Sequence, residues 1–244
     1  MALKPDFVRL PTHLEAQRSA RSIKERFGLP GFAYGIDGVH MKFQEMPRGV
    51  EGDVEQAQFL NRKVLYSLNC MVIGDAFHRI LDVDCRWPGS VHDARIWEDS
   101  NIQKHLAARP FYLAGDAGYP LSPTLIKPYA NPVGQRQQLF NIRLSGARTV
   151  MTENIYGIWK RRFPMLTNMR FHHKKAMKCI LATAVLHNFA LDQRDMEDFD
   201  ELPPCDDLPD VAVVDNRTVN DKPAAGEQAR ENILLKMQVR RRRI

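Results

Sequence analysis

At 244 residues, 44% of them apolar, the chain can form one substantial domain with extensions, and no apolar run approaches the roughly 20 residues that span a bilayer. Four scattered cysteines, Cys70, Cys85, Cys179 and Cys205, form no CxxC pair, which argues for free thiols and against a disulfide scaffold or a zinc site. The net charge of +6 is uneven: residues 192–215 hold ten acids against Arg194 alone, and residues 216–244 hold eight bases against three acids, so the remaining 191 residues are strongly basic, as a polyanionic partner or a solubilising surface would require.

Pro11-Thr12-His13-Leu14-Glu15 opens the first predicted helix, with Thr12 and Glu15 at capping-box spacing. Ala16, Ala20, Ile23 and Phe27 fall on one face, and Gly28-Leu29-Pro30-Gly31 stops the helix. A strand follows over 32–43, with Asp37 set among apolar and small residues. Asp fills strand positions poorly, and a buried carboxylate costs several kcal/mol, roughly, unless a cation or donor meets it. Asp37 therefore asks for a partner.

A polar loop is expected from Glu45 to Arg62, then a buried strand over 64–75 and another over 78–85, turned by Asp75-Ala76-Phe77. Two strands so close in sequence should be antiparallel. Trp87-Pro88-Gly89-Ser90 ends the meander, and Ser90 is expected to cap a helix through Ala94, Ile96, Trp97, Ile102 and Leu106. Asp93, three residues after Ser90, either completes a capping box or is an auxiliary acid of the site. A strand over 111–116 ends on Asp116 before a Gly118-Tyr119-Pro120 turn. From Leu121 to Arg148 the pattern is weak, with a short strand near 125–129 and a short helix over 139–144. A helix from Thr149 to Phe163 then carries Glu153 near its start and buries Met151, Ile155, Ile158 and Trp159, and Pro164 breaks it. The last strongly apolar helix runs over 174–191 through Ile180, Leu181, Val185, Leu186 and Phe189; His187 and Asn188 tie its end to the core.

Acids, Pro203-Pro204 and Pro209 then predict a disordered tail without a core-forming pattern, save a short helix near 227–239. The chain thus divides into an entry helix (1–31), a domain (32–193) and an acidic then basic tail (194–244). Three meandering strands, a crossover helix and a fourth strand beside the first give an α/β fold, a mixed sheet flanked by helices with a further C-terminal helix. Asp37 and Asp116 become neighbours in this ribonuclease H-like arrangement. Two strand aspartates and a helix glutamate would cage a hard, oxygen-liking cation. Singly, each has a plainer reading: a turn residue, a cap, and a charge favoured by the helix dipole.

Six motifs in order carry a resemblance: Gly35-Ile36-Asp37-Gly38-Val39-His40; Asn61-Arg62-Lys63 leading to Ser67-Leu68-Asn69-Cys70; Trp87 to Asp93; Leu113-Ala114-Gly115-Asp116; Glu153 to Phe163; and Val185-Leu186-His187-Asn188. From about Thr12 to Gln193 the chain resembles the PIF/Harbinger group of DDE transposases and their domesticated nuclease derivatives. The resemblance implies a ribonuclease H-like core, with Asp37, Asp116 and Glu153 as a catalytic and metal-binding triad. It also implies DNA as substrate and two Mg²⁺ or Mn²⁺ ions that activate the nucleophile and steady the leaving oxygen. Arg62, Lys63, Lys160, Arg161, Lys174 and Lys175 are candidates for the DNA backbone, or else line a solvated face. Members of the group usually carry a helix-turn-helix region before the core, and few residues precede Asp37 here. The resemblance also implies a separate Myb/SANT-like DNA-binding protein as partner. No membrane is implied, and self-association stays open. The nucleus, with or without the cytoplasm, is the implied location, and Arg240 to Arg243 resembles a short nuclear-localisation patch. The rival expectation is a catalytically idle DNA- or protein-binding module.

Overall fold

The structure, a computed structural model, describes residues 4–47, 52–193 and 223–237. After α1 (Lys4–Phe7), α2 (His13–Phe27) begins on the expected capping box: the Thr12 side chain accepts from the Glu15 N–H, and Glu15 reaches back to the Thr12 N–H. It ends at Gly28, whose φ of 67° is the left-handed conformation that glycine adopts without strain. β1 (Phe32–Lys42), α3 (Asp53–Gln58), β2 (Ser67–Gly74) and β3 (Ile80–Pro88) follow. Next come α4 (Asp93–Glu98), α5 (Ile102–Ala107), β4 (Tyr112–Ala114) and β5 (Leu125–Ile126). The helices α6 (Gly134–Met151), α7 (Glu153–Arg162), α8 (His173–Asp192) and α9 (Pro223–Lys236) complete the order.

The sheet is mixed, in the order β3-β2-β1-β4-β5. β1 is antiparallel to β2, β2 to β3, and β1 is parallel to β4, as is β4 to β5. β4 pairs with β1 only as far as Gly35, so β1 runs on past the end of its parallel neighbour. Side chains alternate across a strand. Tyr34 and Ile36 meet Ala16, Ala20, Ile96 and Trp97 of α2 and α4 on one face. Val39 and Met41 meet Ile155, Trp159 and Ile180 of α7 and α8 on the other, where α6 covers β4 and β5. No described helix is long and apolar enough to cross a membrane.

Several elements depart from expectation. The polar loop before β2 contains α3. Ser90 caps nothing; it donates its N–H to the Gln58 carbonyl (2.9 Å), and α4 begins after His92 with no side-chain cap. The single helix expected there is two, because Ser100 turns the chain by accepting the Ile102 N–H. The short helix over 139–144 is the 18-residue α6. Its buried face includes Asn141, Gly146 and Ala147, which carry little hydrophobic signal. Asn141 both donates to and accepts from the Tyr129 backbone, each at 2.8 Å. On α8, Leu186 and Phe189 are about half exposed, whereas His187 and Asn188 are buried and hold the His78 carbonyl and both backbone groups of Ile80.

The acidic stretch expected to be disordered lies outside the described residues. Beyond it, α9 docks where no core-forming pattern was evident. Ile233, Leu234 and Met237 are buried against α6 and β5; Tyr129 donates to Glu231 (2.6 Å), and the Arg230 guanidinium lies 3.8 Å over the Tyr129 ring. Three apolar residues suffice because arginine stacking and side chain–backbone bonds supply the rest of the contact.

Candidate functional site

Two glycines facing each other across β1 and β2 create the site. Gly35 and Gly74 are in direct register. A Cβ on Gly35 would lie 2.6 Å from Met151 Cβ, and one on Gly74 would lie 2.2 Å from Ile155 Cδ1 and 2.5 Å from the Met151 carbonyl. The missing side chains leave a notch, and the junction between α6 and α7 sits in it. That contact brings Arg148 and Glu153, one on each side of the junction, down upon Asp37, which follows Gly35 on the same face of β1.

Arg148 bridges the carboxylates. Its Nη1 donates to Asp37 Oδ2 at 2.7 Å and its Nη2 to Glu153 Oε1 at 2.8 Å. The Arg148 and Asp37 side chains are each 16% exposed and Glu153 is 50% exposed. Asp37 Oδ1 takes the Gly38 N–H (2.9 Å), and the Tyr156 hydroxyl donates to the Asp37 carbonyl (3.0 Å). Burial pushes the Asp37 carboxyl up to about 7; Arg148 opposes the shift, and the charges of Asp116 and Asp93 add to it. Burial also works against the Arg148 charge, but Asp37, Glu153 and Asp116 outweigh it and raise its affinity for the proton.

Asp116 lies two residues beyond β4, the parallel neighbour of β1, and its Oδ1 takes the Gly118 N–H at 2.9 Å. Asp93, the first residue of α4, arrives over the other face of β1. A Cβ on Gly38 would stand 2.1 Å from Asp93 Oδ1, so only glycine leaves room for this carboxylate. Asn69 donates to the same oxygen at 2.7 Å. Burial raises the Asp93 carboxyl, the Asn69 bond lowers it and Asp116 raises it. Asp37 and Glu153 share Arg148, and the charges of Asp116 and Asp93 reach Asp37, at the carboxyl end of β4, where the strand order departs in both directions from β1, a usual position for sites in open α/β sheets. Among the described residues no group of three His, Cys, Asp or Glu side chains stands close enough to hold a metal ion as it is.

The basic candidates divide. Lys160 Nζ donates to the His40 carbonyl (3.1 Å) and is half-buried, and burial lowers its proton affinity. Arg62 meets His92 Nδ1 at 2.9 Å, one residue from Asp93. Lys63, Arg161, Lys174 and Lys175 are exposed, and Lys175 lies 5.4 Å over the Phe171 ring. His40 Nδ1 contacts Ser67 Oγ (3.1 Å), a local role.

Arg148, Asn69, Tyr156 and Gly38 escape a reading of the sequence for function. An arginine closing a weakly patterned segment five residues before Glu153 was the available signal for Arg148. For Gly38 it was a glycine inside a strand, a mark of close approach.

A family model described as DDE superfamily endonuclease matches residues 36–188. The human protein named "Putative nuclease HARBI1" is 26% identical over 197 residues, covering 76% of this chain and 54% of that protein. Its rat counterpart is 27% identical over 192 residues, covering 74% and 53%. "Protein ALP1-like" of Arabidopsis thaliana is 27% identical over 208 residues, covering 75% and 50%. The chain spans about half the length of the curated relatives it matches. No solved structure matches it significantly.

Proposed function

The chain belongs to the DDE superfamily endonuclease family, by a match that covers most of its sheet and the helices around it, and from that premise we propose that it is a divalent-metal-dependent nuclease of transposase descent that hydrolyses DNA phosphodiesters. The observation that carries this reading is the single guanidinium held jointly by Asp37 and Glu153, beside Asp116. Carboxylates from a strand and a helix already converge on one positive charge. The strand order and directions, with a long central β1 antiparallel to β2 and parallel to β4, support a ribonuclease H-like core.

The donor set suits Mg²⁺ or Mn²⁺. All candidate ligands are oxygens, no cysteine is among them, and buried oxygens lacking a partner lie nearby at Asn69 Oδ1 and Tyr119 OH. Asp37, Asp116 and Glu153 would hold the ions. When bound, such ions supply a lowered pKa for the attacking water and charge for the leaving oxygen. The protein's own part is positional. Gly35 and Gly74 seat the helix junction, the Tyr156 hydroxyl fixes the Asp37 backbone, and Asn69 holds Asp93, an auxiliary acid. Lys160, Arg62, Lys63, Arg161, Lys174 and Lys175 would neutralise phosphates of the approaching duplex without reading its sequence. A Myb/SANT-like partner would supply target choice in the nucleus.

A second reading, a catalytically idle binding module, is favoured by one observation, the lack of three ligands at metal distance among the described residues. Plasmid nicking with Mn²⁺ separates the two. The nuclease nicks, loses the activity in excess EDTA and loses it on Asp37→Asn. Nicking that persists in EDTA, or an inert wild type that still binds DNA, overturns the nuclease reading.

A further inference from the structure

The residue that best explains the state of this site is Arg148, and the inference about it rests on the reading of the carboxylates as cation ligands. Its guanidinium is wedged between Asp37 Oδ2 (2.7 Å) and Glu153 Oε1 (2.8 Å). The Arg148 side chain is 16% exposed, so water does little to screen the contact. Its backbone is pinned as well: the Thr152 hydroxyl donates to the Arg148 carbonyl (2.8 Å), and the next turn of chain sits in the Gly35–Gly74 notch.

A guanidinium and a divalent cation make the same demand on these oxygens. They cannot both occupy the space between Asp37 and Glu153, because like charges a few ångströms apart in a part-desolvated site repel strongly. The side chain of Arg148 also spaces the two carboxylates to suit a planar fork rather than a compact ion. This accounts for a site that, among the described residues, gathers acids around one arginine yet holds no three at metal distance.

We infer that Arg148 is a resident counter-ion that occupies the cation position between Asp37 and Glu153, and that a divalent metal loads only by displacing its guanidinium. The arrangement does two things. It keeps Asp37 and Glu153 assembled when no metal is bound, and it sets a threshold, since metal must replace an existing ion pair. A purely structural ion pair makes the opposite prediction: its removal disorganises the ligands and weakens metal binding.

The test is calorimetric titration of Mn²⁺ into the full chain at about pH 8, where ordinary carboxylates are ionised. Wild type is compared with Arg148→Gln, Arg148→Lys and Asp37→Asn. Arg148→Gln should bind Mn²⁺ about tenfold more tightly or better, a change of about 1.4 kcal/mol. Arg148→Lys, which keeps the charge without the planar fork, should fall between wild type and Arg148→Gln, and Asp37→Asn should lose binding. Equal or weaker binding by Arg148→Gln, with Asp37→Asn still abolishing it, overturns the counter-ion role and leaves the cation site standing. No binding by any of the proteins overturns the cation site and the counter-ion together. Should Arg148→Gln fail to fold, the Arg148 Nε–H signal of the wild type is followed by NMR as Mg²⁺ is added. Displacement requires that signal to shift, and an unchanged signal at saturating Mg²⁺ overturns the inference.

Discussion

A carboxylate in the middle of a strand must be met by something, and for Asp37 the partner is an arginine that its own chain delivers 111 residues later. The pairing changes what neutralising Asp37 should do. Its folded pKa of about 7 stands above the ordinary aspartate value near 4. The folded state therefore binds the extra proton, and stability from this group is full below about pH 4 and lost as pH rises towards 7. Asp75, pushed up to about 6 mainly by burial, acts in the same direction. His187, pushed down to about 4 by burial, opposes both between about pH 4 and 6.5, where the unfolded chain binds its proton. Asp37→Asn should remove one downward contribution, so urea unfolding from pH 4 to 7 should show a less negative slope of stability against pH than the wild type. An identical slope would mean that Asp37 is ionised throughout the range. The same variant should abolish nicking.

At the scale of elements, the contact that matters is a helix junction on a glycine pair. Gly74→Ala places a methyl 2.2 Å from Ile155 and 2.5 Å from a backbone carbonyl, and the carbonyl cannot swing aside as a side chain can. Overpacking of this kind costs about 1–3 kcal/mol. The expected result is a lowered urea midpoint together with nicking reduced by more than the loss of folded protein explains, because Glu153 and Arg148 ride on the displaced junction. Normal specific activity in the folded fraction would show that the junction does not position them. Helix α9 sets a second test. It buries Ile233, Leu234 and Met237 and closes on Tyr129, and a Cβ on Gly226 would lie 2.9 Å from Leu121 Cγ. Ending the chain at residue 222 should lower the melting temperature by several degrees, at roughly 2–4 °C per kcal/mol for a domain of this size. An unchanged melt would show that the docking contributes no net stability.

For the molecule as a whole, the question is how a basic fold would meet DNA. The helices around the sheet spend their apolar faces on it. Lys174 and Lys175 are exposed at the start of α8, and Arg161 is exposed near the end of α7. Contacts of that kind go to phosphates and carry little sequence information. The chain alone should bind unrelated duplexes with similar dissociation constants, on the order of 10⁻⁴–10⁻⁶ M near physiological salt, and the affinity should fall steeply as salt rises. Fluorescence anisotropy at two salt concentrations checks this. One duplex preferred a hundredfold, with the preference surviving high salt, would reveal a reading element on the chain itself.

Local chemistry makes some of this architecture legible without coordinates. The Thr12–Glu15 box, Gly28, the alternation of β1 and the short Asp75 turn each depend on residues close in sequence, so α2 and the β1–β2–β3 meander follow from the chain read in order. Motif order likewise reaches the family. The charge on Asp37 is legible as a demand, because a buried carboxylate in a strand is costly wherever the strand goes. What answers that demand is decided only in three dimensions. Arg148 arrives because Gly35 and Gly74, distant in sequence, pair across two strands and admit a helix junction. Asp93 arrives because Gly38 has no side chain and Asn69 is there to donate. α9 docks through an arginine over a tyrosine ring rather than through an apolar stripe. Glycine gaps, a buried counter-ion and stacked polar side chains leave no periodic trace in a sequence, since their energies come from neighbours that only the folded sheet supplies.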